Sequence, residues 1–299
     1  MSLVSGSAMA QELLASTGGG GGGSVDAGSI VLVDTGDASG TVLSTPYNGT
    51  GMPGIAFAND GRLYAVTGVN NGEVDTAQLL ELDPATGDLI SVVGDLFDDS
   101  GNGCAFMDIS FHPNTGELYA MVANNSAIGT RCGVGGGSGG YLATIDLATT
   151  EYTIIGRDPS FDNVSGGIAF APDGTLYFSP AWESSQELHI LDIADGTVAS
   201  SIALSEDRAF TGLAWHPSEN LLYAGYDWSN SERTLSTIDP SDGTIVNIGT
   251  TEDRVLMGLA FRGQPPQAPA LAVPAFSGSA SLVLMMLIAL FGLVIVRRF

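Results

Sequence analysis

The chain contains no lysine, and all nine of its basic residues are arginine. Against them stand 33 acidic residues, for a formal charge of −24. So acidic a protein repels phosphate backbones, which sets nucleic-acid binding aside. Between residues 24 and 263 the balance is 32 acidic to seven basic, a pattern suited to solubility, including in a salty habitat. Histidine is limited to His112, His189 and His216, so a zinc site would require all three to converge from separate stretches. No H-E-x-x-H pair occurs, and the glycine-rich run from Gly133 to Gly140 lacks the lysine and helix context of a phosphate-binding loop. Calcium needs about six to eight oxygens at one point, and no D-x-D-x-D-G loop offers them. It is nonetheless the one cofactor that the acidic composition leaves open. Cys104 and Cys132 are the only cysteines. They form no C-x-x-C pair and read as a disulfide made in an oxidising compartment. Long apolar runs are absent except at the C-terminal end.

At that end Ser281 to Val296 is an uncharged apolar run. Extended back to Ser279, it reaches the roughly 18 to 20 residues of a membrane-spanning helix, here 279–296. Arg297 and Arg298 follow, and by the positive-inside rule they stay in the cytoplasm and place the preceding domain outside. Residues 264–272 carry Pro265, Pro266 and Pro269 and read as a stiff spacer. Then comes Val273-Pro274-Ala275-Phe276-Ser277. A Val/Ile-Pro-x-x-Ser pentapeptide, an apolar helix and a terminal Arg-Arg resemble the IPTL-CTERM sorting signals of Gram-negative bacteria, relatives of the PEP-CTERM signals. The resemblance covers residues 273–299 and rests on Val273, Pro274, Ser277, Arg297 and Arg298. Ala275 and Phe276 depart from the family's usual Thr-Leu, and Gly278-Ser279 replace a common acidic and aromatic pair. The resemblance implies recognition and cleavage by an exosortase-type membrane enzyme during delivery to the envelope or exterior. A plain tail anchor is the other reading. At the opposite end, Ala8 and Ala10 before Gln11 resemble an A-x-A signal-peptidase site, so residues 1–10 read as the end of a signal peptide. Met1 to Gly6 is too short for a charged and apolar leader, and the expectation is a precursor that starts further upstream.

Between the ends, over residues 11–263, one cassette recurs. Its copies are Gly54-Ile55-Ala56-Phe57, Asp108-Ile109-Ser110-Phe111, Gly167-Ile168-Ala169-Phe170, Gly212-Leu213-Ala214-Trp215 and Gly258-Leu259-Ala260-Phe261. Four of the five continue through a turn into a second strand that carries Tyr64, Tyr119, Tyr177 or Tyr223. Asp-Gly and Asn-x-Gly turns supply the positive φ that a tight hairpin needs. A third and a fourth strand follow, the third closing on Asp83, Asp146, Asp192 or Asp239. Successive cassettes start 54, 59, 45 and 46 residues apart. Four short antiparallel strands in roughly 45 to 60 residues is the pattern of a β-propeller blade. The chain opens with a third and fourth strand, at 29–34 and 40–43, and ends with a first strand, at 255–261. Pairing those ends into a composite blade predicts an all-β ring of five four-stranded blades with no open sheet edge; six blades is the alternative. Glu12-Leu13-Leu14-Ala15 matches Glu117-Leu118-Tyr119-Ala120 and is the expected second strand of that blade, with the glycines of 18–23 inserted after it.

The aspartates that follow third strands, Asp34 included, each open a turn and read as turn formers rather than a ring of carboxylates. The tyrosine series reads as core between blades. His112 and His216 share a repeat position held elsewhere by Ala58 and Ala171, which argues against a shared metal site. The longest irregular stretches, 68–77, 123–140 and 180–186, all follow second strands. They gather on one rim with Glu73, Asp75, Arg131 and Trp182, the expected place for a ligand. These residues describe a scaffold and an address without a catalytic constellation. The leading expectation is a non-enzymatic surface protein, held at the membrane outside the cytoplasm, that binds an envelope polysaccharide or another protein. The alternative is a secreted propeller hydrolase, lactonase or lyase, since fold alone does not decide function. Carboxylates or histidines converging at the channel mouth would mark the enzyme, and an apolar channel the binder.

Overall fold

The computed structural model describes residues 11–18, 26–47, 51–68, 77–124, 132, 139–161, 166–181, 187–208, 210–227 and 232–262. The chain divides into two compact units, Met1–Gln267 and Ala268–Phe299, and every described residue belongs to the first. Ala8 and Ala10, the spacer and the sorting signal with its apolar run at 279–296 lie outside the described residues.

Twenty strands and no helix make up the described part. The chain begins with β1 (Glu12–Thr17), β2 (Ile30–Val33) and β3 (Gly40–Ser44). One sheet follows from β4 (Gly54–Phe57), β5 (Leu63–Val66), β6 (Gln78–Leu82) and β7 (Leu89–Asp95), and the next from β8 (Ala105–Phe111), β9 (Leu118–Asn124), β10 (Gly139–Ile145) and β11 (Tyr152–Gly156). Then come β12 (Gly166–Phe170), β13 (Leu176–Pro180), β14 (Glu187–Leu191) and β15 (Val198–Ala203), followed by β16 (Phe210–His216), β17 (Leu221–Asp227), β18 (Glu232–Ile238) and β19 (Ile245–Thr250). The last strand, β20 (Leu256–Arg262), joins the first three in the order β20-β1-β2-β3. The protein is a five-bladed propeller with four antiparallel strands per blade, and the six-blade alternative falls. β1 is the expected second strand of the composite blade, with Glu12 opposite Arg262 and Ser16 opposite Gly258.

The first strands form the inner ring: β4 abuts β8, β8 abuts β12, β12 abuts β16, β16 abuts β20, and β20 abuts β4. Around that ring the core divides into five clusters, one in each seam between blades. A repeated aromatic pair builds four of the seams. The tyrosine of one blade's second strand meets the aromatic residue of the next blade's first strand: Tyr64 with Phe111 at 5.7 Å, Tyr119 with Phe170 at 5.2 Å, Tyr177 with Trp215 at 5.8 Å and Tyr223 with Phe261 at 5.0 Å between ring centroids. In the fifth seam Leu14 takes the tyrosine's place beside Phe57. The tyrosines are therefore core, and burial raises the hydroxyl pKa of all four.

Each expected turn aspartate accepts a backbone N–H from two residues on. The donors are Gly36 to Asp34, Ala85 to Asp83, Ala148 to Asp146, Ala194 to Asp192 and Ser241 to Asp239, all at 2.7 to 2.9 Å. The Ala85 and Thr86 N–H groups hold the Asp83 carboxyl below the usual range, as the Ser241 hydroxyl and N–H do for Asp239. His112 and His216 perform the same task with imidazole. Nδ1 of His112 accepts the N–H groups of Asn114 and Thr115, and Nδ1 of His216 accepts that of Glu219.

Two cross-links act on the ring. Cys104 and Cys132, 28 residues apart, form a disulfide buried in the seam that contains Tyr64 and Phe111. Arg262 at the end of β20 donates from Nε to Glu12 at 2.7 Å and from Nη1 to the carbonyls of Pro84 and Ala85 at 2.9 Å each. It thus ties the two chain ends to each other and to the β6–β7 turn of the next blade. Replacing both cysteines by alanine is expected to lower stability by roughly 3 kcal/mol through the freed loop. Arg262→Ala is expected to cost about 1–2 kcal/mol, since it removes charged donors from two carbonyls along with a half-exposed ion pair. Glu12→Gln, which spares the carbonyl bonds, is expected to cost less than about 1 kcal/mol. Urea unfolding of the three variants measures these differences.

Candidate functional site: the channel mouth

The inner ring closes because the cassette's first residue is glycine in four strands. A Cβ on Gly54 would lie 2.8 Å from the Cα of Asp108, and one on Gly167 would lie 2.7 Å from the carbonyl carbon of Gly212. Such distances leave no room for a side chain, so backbone meets backbone. The fifth strand is the exception. Asp108 stands where the others have glycine, just after a register shift between Phe106 and Asp108 in the β8–β9 ladder. A bulge of this kind re-aims the side chain that follows it.

Asp108 is completely buried. Its Oδ1 accepts the N–H of Ile109 and its Oδ2 that of Ile168, both at 2.9 Å, and the Leu213 N–H also favours its ionised form. One carboxyl group therefore joins β8 and β12 at the axis. The ladder geometry explains why donors are available there. The fifth-position amides Ala58, His112 and Ala171 donate to the second strands, so the amides and carbonyls of the second and fourth positions face the axis. Ser110, on the same strand as Asp108, catches one of these: its Oγ accepts the Phe170 N–H at 3.2 Å.

Toward the first hairpin turns the channel widens into a cavity of about 230 Å3. Its wall consists of the third cassette residues, Ala56, Ser110, Ala169, Ala214 and Ala260, and of the fourth, Phe57, Phe111, Phe170, Trp215 and Phe261. The second cassette residues of four strands also reach it, and Asn59, Pro84, Pro113 and Arg262 add to the lining from the turns and the end of β20. Asn59 Nδ2 donates to the Pro113 carbonyl, and Arg262 is engaged as described above. Among the described residues that line the cavity there is no carboxylate, histidine or cysteine. Among those residues Ser110 carries the only hydroxyl, and none of them is a base that could activate it.

The cavity opens on the face of the first and third turns. The stretches expected to carry a ligand follow the second strands, which end on the opposite face, and Glu73, Asp75, Arg131 and Trp182 lie outside the described residues. Among the described residues no three His, Cys, Asp or Glu side chains are grouped to hold a metal. The histidines stay apart: His112 and His216 cap turns, while His189 is buried against Phe161 and Phe178 with Nδ1 on the Ser201 hydroxyl at 2.8 Å. Burial pushes the pKa of His189 and of His216 down. The two residues that distinguish β8, Asp108 and Ser110, were not singled out by sequence reasoning. Their signal was present, as the two departures from a Gly-x-Ala pattern that the other four cassettes keep.

Burial drives the Asp108 pKa well above the ordinary carboxylate value, against the opposing pull of the Ile168, Ile109 and Leu213 N–H groups. A folded-state value above the unfolded one means that the native protein holds the proton longer. The resulting stability is complete below the ordinary carboxylate range and declines as pH rises toward the raised value. The unfolding free energy of the wild type relative to Asp108→Asn is therefore expected to fall as pH rises above the ordinary carboxylate range, as followed by urea titration at each pH. A flat difference would show that the carboxyl ionises equally in both states.

The fold is similar to that of a protein of unknown function from Bacteroides caccae known from a crystal structure, with 10% identity and a TM-score of 0.44 over 79% of this chain and 71% of that one. No curated protein matches the chain. Residues 104–263, which begin at the disulfide's first cysteine and include the ring-closing strand, match the family described as a repeat of unknown function, DUF6923. That match spans more than half of the sequence, and the chain belongs to this family.

Proposed function

We propose that the protein is an exported, surface-directed propeller that binds an envelope or extracellular partner, polysaccharide or protein, without transforming it. The observation that carries this reading is the cavity wall. Its described residues bring together no acid, base and nucleophile, and the one hydroxyl there serves a backbone amide. An enzyme of the hydrolase or lyase kind needs such groups within hydrogen-bonding reach of one another. Export is supported by the Cys104–Cys132 disulfide, which suits an oxidising compartment, and by the tail at 273–299 with Val273, Pro274, Ser277, Arg297 and Arg298. In this reading the apolar run 279–296 holds the chain in the membrane with the propeller outside, and an exosortase-type enzyme processes it.

The test is carried out on the full-length protein in detergent, with arrays of envelope glycans and surface proteins, and with mass spectrometry of each retained partner. Saturable capture of a partner that is recovered unchanged is the expected result. Recovery of a cleaved or eliminated product would overturn the reading in favour of an enzyme. In cells, added protease is expected to degrade the propeller without lysis of the inner membrane. Protection until the cytoplasm is opened would sink the export half of the proposal.

A further inference from the structure

We infer that the channel-mouth cavity is a site for one uncharged sugar ring, anchored by Ser110. This inference rests on the reading of the protein as a binder and names the ligand class of its cavity. Size is the first argument. At about 230 Å3 the cavity is smaller than the roughly 300–1,000 Å3 of pockets that hold drug-sized ligands, so it has room for a single ring but not for a chain.

Charge is the second. Among the described lining residues the only ionised side chain is Arg262, and its Nε, Nη1 and Nη2 all donate within the protein, to Glu12, Pro84 and Ala85. An anionic ligand would meet a protein of net charge −24 with no cation left to receive it. A cationic ligand would find no carboxylate in the described wall. Nor are Phe170 and Phe261 free to serve in a cation cage. Phe170 packs edge-to-face with Tyr119 and His112, and Phe261 with Tyr223 and His216, so both are committed to the seams between blades.

Hydrogen-bonding capacity is the third argument. The inner strands turn both N–H and C=O groups toward the axis at their second and fourth positions. These groups encircle the cavity, and alanine methyls fill the spaces between them. Ser110 spends a lone pair on the Phe170 N–H, and its own hydrogen has no acceptor among the described residues. A ligand that matches this wall must donate and accept around its whole edge, carry no charge and place C–H groups against methyls. A neutral sugar ring has that chemistry. Ser110 is then the polar side chain that the inner strands themselves offer to a particular hydroxyl, because the other four have alanine at its position.

The test uses the full-length protein, calorimetric titration with neutral monosaccharides (glucose, galactose, mannose and N-acetylglucosamine), and oligosaccharides that end in the same residues. Ser110→Ala restores the residue that four strands already carry, so the ring is retained; Ala260→Val narrows the cavity from another strand. Binding of at least one neutral sugar is expected, weakened roughly tenfold by Ser110→Ala, the equivalent of one hydrogen bond, and lost in Ala260→Val. Circular dichroism confirms that each variant is folded. Equal affinity for the free sugar and the oligosaccharide end supports a glycan terminus as the natural ligand, and affinity for the free sugar alone supports a small-molecule site. Unchanged affinity in folded Ser110→Ala and Ala260→Val would place the sugar elsewhere and overturn the inference. Capture of proteins or charged glycans without any neutral-sugar binding would overturn it too, while leaving the binder reading intact. Turnover of the sugar would overturn both.

Discussion

The structure depends on a contact of backbone against backbone, where five first strands meet around one axis. Gly54, Gly167, Gly212 and Gly258 permit that approach, because a Cβ at any of them would collide with the neighbouring strand. Once the inner edges are this close, the blades fan outward and their faces must be covered by one another. The tyrosine–aromatic pairs fill the wedge that results, one in each of four seams, and Leu14 with Phe57 fills the fifth. Closure of the ring by β1 and β20 belongs to the same constraint. With the first blade and the last in contact at the axis, the only open edges left are the outermost strands.

The strand that breaks the glycine rule gives the axis its polarity. Asp108 and Ser110 lie two residues apart on β8, and both accept amides of β12 that the ladder turns toward the axis. Burial opposes ionisation of the carboxyl, and converging N–H groups favour it; burial is the larger effect. A five-fold repeat is thereby made asymmetric at its centre. One strand supplies side-chain acceptors, while the others supply methyls and backbone.

Much of the scaffold was legible because propeller blades are local. A four-stranded meander pairs each strand with its neighbour in sequence, so the Asp-Gly and Asn-x-Gly turns and the cassette spacing reveal the blades directly. Even the composite blade was legible, since Glu12-Leu13-Leu14-Ala15 has the pattern of a second strand and the chain ends have complementary phases. The cysteine pair was legible for a different reason: two cysteines have only one partner each. The location of the cavity was not legible. Loop length pointed to a ligand rim after the second strands, whose residues lie outside the described ones, while the cavity at the first and third turns is lined by residues from all five inner strands.

The sequence by itself determined the four-stranded blade, the order of strands, the turn chemistry and the disulfide, because each depends on residues close along the chain or on a strict repeat; the tertiary structure fixed the blade count at five. The tertiary structure alone decided the fate of Asp108 and Ser110. Their partners, Ile168, Phe170 and Leu213, come from blades about 60 and 105 residues further on, and they face the axis only after the ring has closed. In one dimension Asp108 is an acidic residue in a β-strand pattern. Closure makes it a desolvated group at the centre of the protein, because the axis belongs to no single blade.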